Sequence, residues 1–162
     1  MDQPATTDPV MDPVMDAVVV AVEAGRAGDR TGARARFDAL WEQVGADGDP
    51  FHRCTLAHYA ADVQDDPHTE LVWDERALAA ADELTDERVQ RHHASLSVGG
   101  FLPSLHLNLA DVYRRLGDDE RARHHLTRAR DRVGALPDDG YGAMIRAGIG
   151  RCGERLDLGD RS

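Results

Sequence analysis

A chain of 162 residues with 41% apolar content is long enough for one domain with a real core, and its Ala, Leu and Val suit close-packed helices better than sheets. The formal net charge of −11 disfavours nucleic acid, whose binding requires several phosphates to be neutralised, and favours solubility and a basic partner. No lysine occurs, and all 19 basic residues are arginine, a bias that points to a GC-rich genome more than to a function.

Residues 1–13 are poor in apolar side chains and carry a small echo, Asp8-Pro-Val-Met and Asp12-Pro-Val-Met. Proline removes a donor and blocks helix, so this stretch is expected to be a disordered arm. Asp16 is a candidate cap for a helix over 17–27, and Thr31 for one reaching Val44. The stretch 45–50 reads as a turn, because its two Asp residues lack the spacing of a calcium loop. A third helix is expected over 51–64 and a fourth over 68–84, with Trp73, Ala77, Ala80 and Leu84 on one stripe. Thr85 starts a further helix to about Leu96, and Ser97-Val-Gly-Gly100 is expected to break it.

Pro103 opens the next helix, where its missing N–H costs little. Leu102, Leu105, Leu109, Val112 and Leu116 recur at steps of three and four, Gly117-Asp118 interrupts, and Ala122, Leu126, Ala129 and Val133 resume the period. That is a helix hairpin with two apolar faces. A loop at Pro137 leads to a final helix near 141–156, with Ile145, Ile149, Cys152 and Leu156 inward. Cys54 and Cys152 are not a close-spaced metal pair and read as free thiols of a reducing cytoplasm. No signal peptide is visible, and the run Ala17 to Val22 is too short to span a bilayer.

The pattern His106-x2-Leu109-Ala110-x2-Tyr113, then Gly117-Asp118, then Ala122-x3-Leu126 and Ala129, resembles a tetratricopeptide repeat, as in small free-standing bacterial proteins of that kind. His106 stands where the family usually has Trp, Leu126 where it often has Phe, and Gly134 where Pro is expected. A constant shift of 89 residues aligns Ala21, Gly28, Asp29, Ala33, Phe37, Leu40 and Val44 with Ala110, Gly117, Asp118, Ala122, Leu126, Ala129 and Val133. A weaker copy between them has Leu56-Ala57 and Trp73 in register but lacks the Gly-Asp turn.

The resemblance implies an all-α, right-handed solenoid of about three helix pairs in one domain over 14–158. The repeats fall at about 14–47, 51–84 and 102–135, with an insert at 85–101 and a capping helix at 140–157.

In that family the first helix of each repeat lines a concave groove whose ligands are usually peptides. Register then selects Ser104, Leu107, Asn108, Asp111 and Arg115 in the last repeat. It selects Phe51, Cys54, Thr55, His58 and Asp62 in the middle copy, and Met15, Val18, Val19, Val22 and Arg26 in the first. Such a groove is apolar at one end and polar at the other. A basic clamp for a carboxylate is doubtful, because only Arg26, Arg115 and the marginal Arg114 could serve.

The leading expectation is a cytoplasmic, non-enzymatic module that holds an extended peptide or protein segment, without cofactor or metal. The alternative is a small-molecule-binding protein or enzyme with a pocket of His58, Asp62, Asp111 and Arg115. A third is a structural homodimer. Adjacent pairs such as His92-His93 and His124-His125 chelate poorly, since neighbours on a helix point about 100° apart. His58 with Asp62 would need a third ligand such as His92 or His106. Cys54 with His58 is a conceivable nucleophile–base pair, but packed or groove-lining residues are the simpler reading. The chain has no Gly-rich phosphate loop with Lys, no H-E-x-x-H and no G-x-S-x-G.

Overall fold

The computed structural model describes residues 11–93 and 97–162, and among these there are eight α-helices and no strand. They are α1 (Pro13–Arg26), α2 (Arg30–Val44), α3 (Pro50–Asp62), α4 (Pro67–Ala81), α5 (Asp86–Gln90), α6 (Val98–Leu116), α7 (Asp119–Asp131) and α8 (Gly140–Asp157). Residues 1–10 of the expected arm lie outside the described residues, as do 94–96. The helix expected to run to Leu96 ends at Gln90.

Every helix starts behind a side chain that accepts a hydrogen bond from the backbone of its own first turn. The caps are Asp12, Asp29, Asp49, Asp66, Thr85, Ser97, Asp118 and Asp139. In Asp12-Pro13, Asp49-Pro50 and Asp66-Pro67 the proline occupies the first helical position. There its N–H would have no partner and its fixed φ already suits the helix. This corrects two expected starts: α1 begins at Pro13 behind Asp12 rather than at Ala17, and α2 behind Asp29 rather than Thr31. Ser97 likewise starts a helix where a break was expected. Its Oγ accepts from Gly100 N at 3.2 Å, and Pro103 lies inside α6 instead of opening it.

The helices pack as hairpins, α1 on α2, α3 on α4 and α6 on α7. α4 also packs on α6, α2 on α3, and α8 lies across α6 and α7. Small side chains set the close approaches. Ala21, Ala33, Ala57, Ala60, Ala77, Ala80, Ala110 and Ala122 are all fully buried. The pairs 89 residues apart occupy matching places: Phe37 and Leu126 are both buried, and Gly28 and Gly117 both turn the chain with positive φ, 96° and 83°. Trp73 is buried edge-on against Trp41, with ring centroids 5.4 Å apart, and the Arg76 guanidinium lies over both rings. Ile145, Ile149, Cys152 and Leu156 of α8 close the core formed by α6 and α7. Among the described residues no helix is long and apolar enough to cross a membrane.

Two polar side chains are drawn into this packing. His106 stacks on His125, with Nδ1 atoms 3.0 Å apart, and His125 lies parallel to Tyr113, whose hydroxyl donates to Glu75 Oε1 at 2.8 Å. Burial first, then the neighbouring His125 and arginines, pushes His106 down to about 4. Arg114, marginal to the groove by register, is wholly buried. It donates to Asp111 Oδ1 and to the main-chain oxygens of Asp160 and Ser162, so it ties the end of the described chain to α6.

Leu109→Ala should cost about 2–5 kcal/mol of stability by denaturant unfolding, since the side chain is fully enclosed. A cost well below 1 kcal/mol would mean that the α6–α7 core is loosely packed. Between about 4 and the ordinary histidine value, the unfolded chain binds more protons at His106 than the fold does. Stability should therefore fall as pH drops through that window, and His106→Phe should flatten the fall in Tm; an unchanged pH profile in the variant would remove His106 as its cause.

Candidate functional site

The first helix of each hairpin contributes to one furrow. One cavity of about 340 Å3 lies between α1 and α3, walled by Met15, Val18, Val19, Val22 and Phe51. A larger one of about 550 Å3 lies between α3 and α6, walled by Phe51, Cys54, His58, Leu84, Phe101 and Leu105. Phe51, Thr55, Tyr59 and Phe101 line both, so the two are neighbouring chambers of a single groove. Pro137, Asp139 and Tyr141, from the segment leading into α8, form the far wall of the larger chamber.

The groove changes character at His58. The Asn108 amide of α6 lies 3.4 Å from His58 Nδ1 of α3. The amide donates, so the proton of the neutral ring sits on Nε2. Burial lowers the His58 pKa against the pull of Asp62, which keeps the ring neutral. Beyond this pair lies a polar junction of α3, α4 and α6. Arg115 donates to Glu70 Oε1 at 2.5 Å and to Asp111 Oδ2 at 3.0 Å, and Asp111 also receives the buried Arg114. Burial raises both Glu70 and Asp62, although His58, Arg26 and Arg30 offset the rise at Asp62.

Asp74 stands behind Asn108 on α4. It is 1% exposed, and neither carboxyl oxygen has a hydrogen-bond partner. Burial, reinforced by the charges of Glu70 and Asp62, pushes it up to about 8, while the Asn108 amide and Arg115 pull the other way. A buried acceptor left without donors costs free energy. Protonation relieves this, so Asp74 is mostly neutral at pH 7.

The residues selected by register are thus brought partly together. Cys54, His58 and Ser104 face the larger chamber, with the Ser104 hydroxyl donating back to the Phe101 carbonyl at 2.9 Å. Asn108, Asp111 and Arg115 form the polar junction with Asp62 at its exposed edge. Leu107 instead packs toward α8, where a Cβ at Gly148 would come within 2.8 Å of it. Burial pushes the Cys54 thiol up to about 12, so no thiolate is available to act with His58. His92 packs on Phe51 and His106 on His125, so neither is placed with His58 and Asp62. Among the described residues no three His, Cys, Asp or Glu side chains are grouped to hold a metal ion. Both cysteines are free and buried.

Tyr59, Leu84, Phe101, Glu70 and Asp74 were absent from the sequence-based site. For Asp74 a signal existed: it lies three and four residues from Leu71, Ala77 and Leu78, so a carboxylate occupies an apolar stripe. No protein-family model, curated protein or solved structure matches the chain.

Asp74 should titrate near 3.8 in the unfolded chain and about 8 in the fold. The fold then holds the extra proton between these values, and stability falls as pH rises through them. Asp74→Asn should therefore raise Tm by several degrees at pH 9 and by much less at pH 5. A Tm shift of equal size at both pH values would show that Asp74 is ionised throughout.

Proposed function

We propose that this chain is a non-enzymatic interaction module of the tetratricopeptide kind, a right-handed stack that holds an extended peptide or protein segment in its groove. The observation that carries the reading is the pair of chambers sharing Phe51, Thr55, Tyr59 and Phe101. Two adjoining apolar hollows along one furrow suit successive side chains of an extended segment, with pockets selecting side chains and polar edges holding the main chain. Asn108 and Ser104 supply amide and hydroxyl groups at the furrow wall. The raised thiol of Cys54 weighs against nucleophilic catalysis. Two free thiols fit a reducing, cytoplasmic setting.

A second reading rests on one observation. The larger chamber, about 550 Å3, lies within the range of roughly 300–1,000 Å3 common for small-molecule sites, and it is mostly apolar with a few polar groups. A compact apolar or aromatic compound is the ligand that shape admits.

Selection from a displayed library of unstructured dodecapeptides separates the two. Peptides with aromatic or aliphatic anchors should be enriched and bind with micromolar affinity, at least ~10-fold more weakly to a Phe101→Arg/Thr55→Arg variant of unchanged Tm. No enrichment, combined with a small molecule retained by the native protein and lost from the variant, would overturn the peptide reading.

A further inference from the structure

We propose that the larger chamber takes the side chain of a tyrosine from the bound segment, its ring against Phe51 and Phe101 and its phenol oxygen at His58 and Ser104. The proposal rests on the peptide-binding reading and gives the ligand a chemical anchor.

The α3–α6 wall of the chamber presents one donor and one acceptor. His58 of α3 and Ser104 of α6 both line it. The Nδ1 of His58 is taken by Asn108, which lies one turn beyond Ser104 on the same face of α6. The remaining Nε2–H has no hydrogen-bond partner among the described residues, and Asp62 acts on the ring only through space. Side-chain nitrogens and oxygens that are both sealed and unpartnered occur there only in Asp74 and Asp119, so this N–H is open to an occupant of the chamber. Ser104 offers the opposite polarity. Its hydroxyl proton goes to the Phe101 carbonyl at 2.9 Å, so what it presents to a ligand is an acceptor.

Charge narrows the choice further. Burial holds His58 neutral and keeps the Cys54 thiol protonated. The other polar side chains of the lining are hydroxyls, apart from Asp139, which is exposed on the far wall. An ion at the His58 end would meet no counter-charge, and its desolvation would go uncompensated. The group that enters is therefore neutral, with an acceptor for His58 and a donor for Ser104. Its body is apolar and flat enough to lie among Phe51, Leu84, Phe101 and Leu105. Tyrosine meets all of these conditions. Tryptophan brings a donor and no acceptor, leucine and phenylalanine bring neither, and glutamine buries too little apolar surface. The smaller chamber, walled by Met15, Val18, Val19 and Val22, suits an aliphatic neighbour of the tyrosine.

The test uses acetyl-Leu-Ser-Tyr-Ser-Leu-amide, a version with doubled serine spacers, and twins in which phenylalanine replaces tyrosine. Leucine on both sides lets either chain direction reach the smaller chamber. Binding is followed by calorimetry at neutral pH, with p-cresol as the free phenol. The better tyrosine peptide should bind ~10-fold more tightly than its phenylalanine twin, because the analogue without the hydroxyl leaves the polar groups of the wall unpaired. In His58→Phe the preference should fall below ~3-fold while the phenylalanine peptide binds as before, which controls for an intact groove. His58→Gln, which keeps an N–H donor, should restore most of the preference, and Ser104→Ala should reduce it. Equal binding of the tyrosine and phenylalanine peptides would overturn the tyrosine site and leave the groove reading standing. A preference undiminished in both His58→Phe and Ser104→Ala would place the recognised hydroxyl elsewhere and overturn it too. If p-cresol bound as tightly as the tyrosine peptide, the chamber would be a site for a free phenol and not for a peptide. If neither the peptides nor p-cresol bound, the tyrosine site and the groove reading would fall together.

Discussion

Helix α4 decides what this molecule can do, because it packs on both α3 and α6 while those two hardly touch each other. Within a hairpin, small residues such as Ala57, Ala60, Ala77 and Ala80 bring the helices close. Between α3 and α6 no such contact exists, and the space is divided in two. One part is the larger apolar chamber; the other is filled by polar side chains from all three helices. The same spacing therefore produces the hollow and the charge cluster beside it. Phe51 and Phe101 belong to the hollow, and Asn108 reaches from the polar region to His58 in its wall.

Much of this order was legible in the sequence, for a physical reason. Apolar residues at steps of three and four, and small residues at a fixed offset, record helix faces directly. The buried partners Ala21 with Ala110 and Phe37 with Leu126 are cases in point. The expected start of α1 falls late because proline reads there as a helix breaker. In the Asp-Pro pairs it is the first residue of the helix, and the preceding Asp is the cap. The chain's acidity has a local explanation as well, since six of the eight α-helix caps among the described residues are Asp.

The site was less legible. Register along one helix locates residues that share its face, and so it reached His58, Asn108, Asp111 and Arg115. It says nothing about what a different helix brings behind them. Glu70 and Asp74 come from the second helix of the preceding hairpin, and their role depends on how α4 meets α6, a tertiary fact. Arg114 shows the same limit from the other side. Register places it at the margin of the groove, yet one step around the helix from Arg115 takes it into the interior, where main-chain oxygens of Asp160 and Ser162 accept its hydrogen bonds.

The lack of lysine acquires a chemical meaning at this junction. Arginine does not form amides with activated carboxyl groups under mild aqueous conditions, whereas a primary amine does. With no ε-amine among its own side chains, the protein cannot join Asp62 or Glu70 to a neighbouring side chain through such a bond. An amide formed at either acid by a side-chain amine would therefore come from another molecule, so the groove is by composition a quiet background against which a lysine-bearing ligand can be covalently recorded.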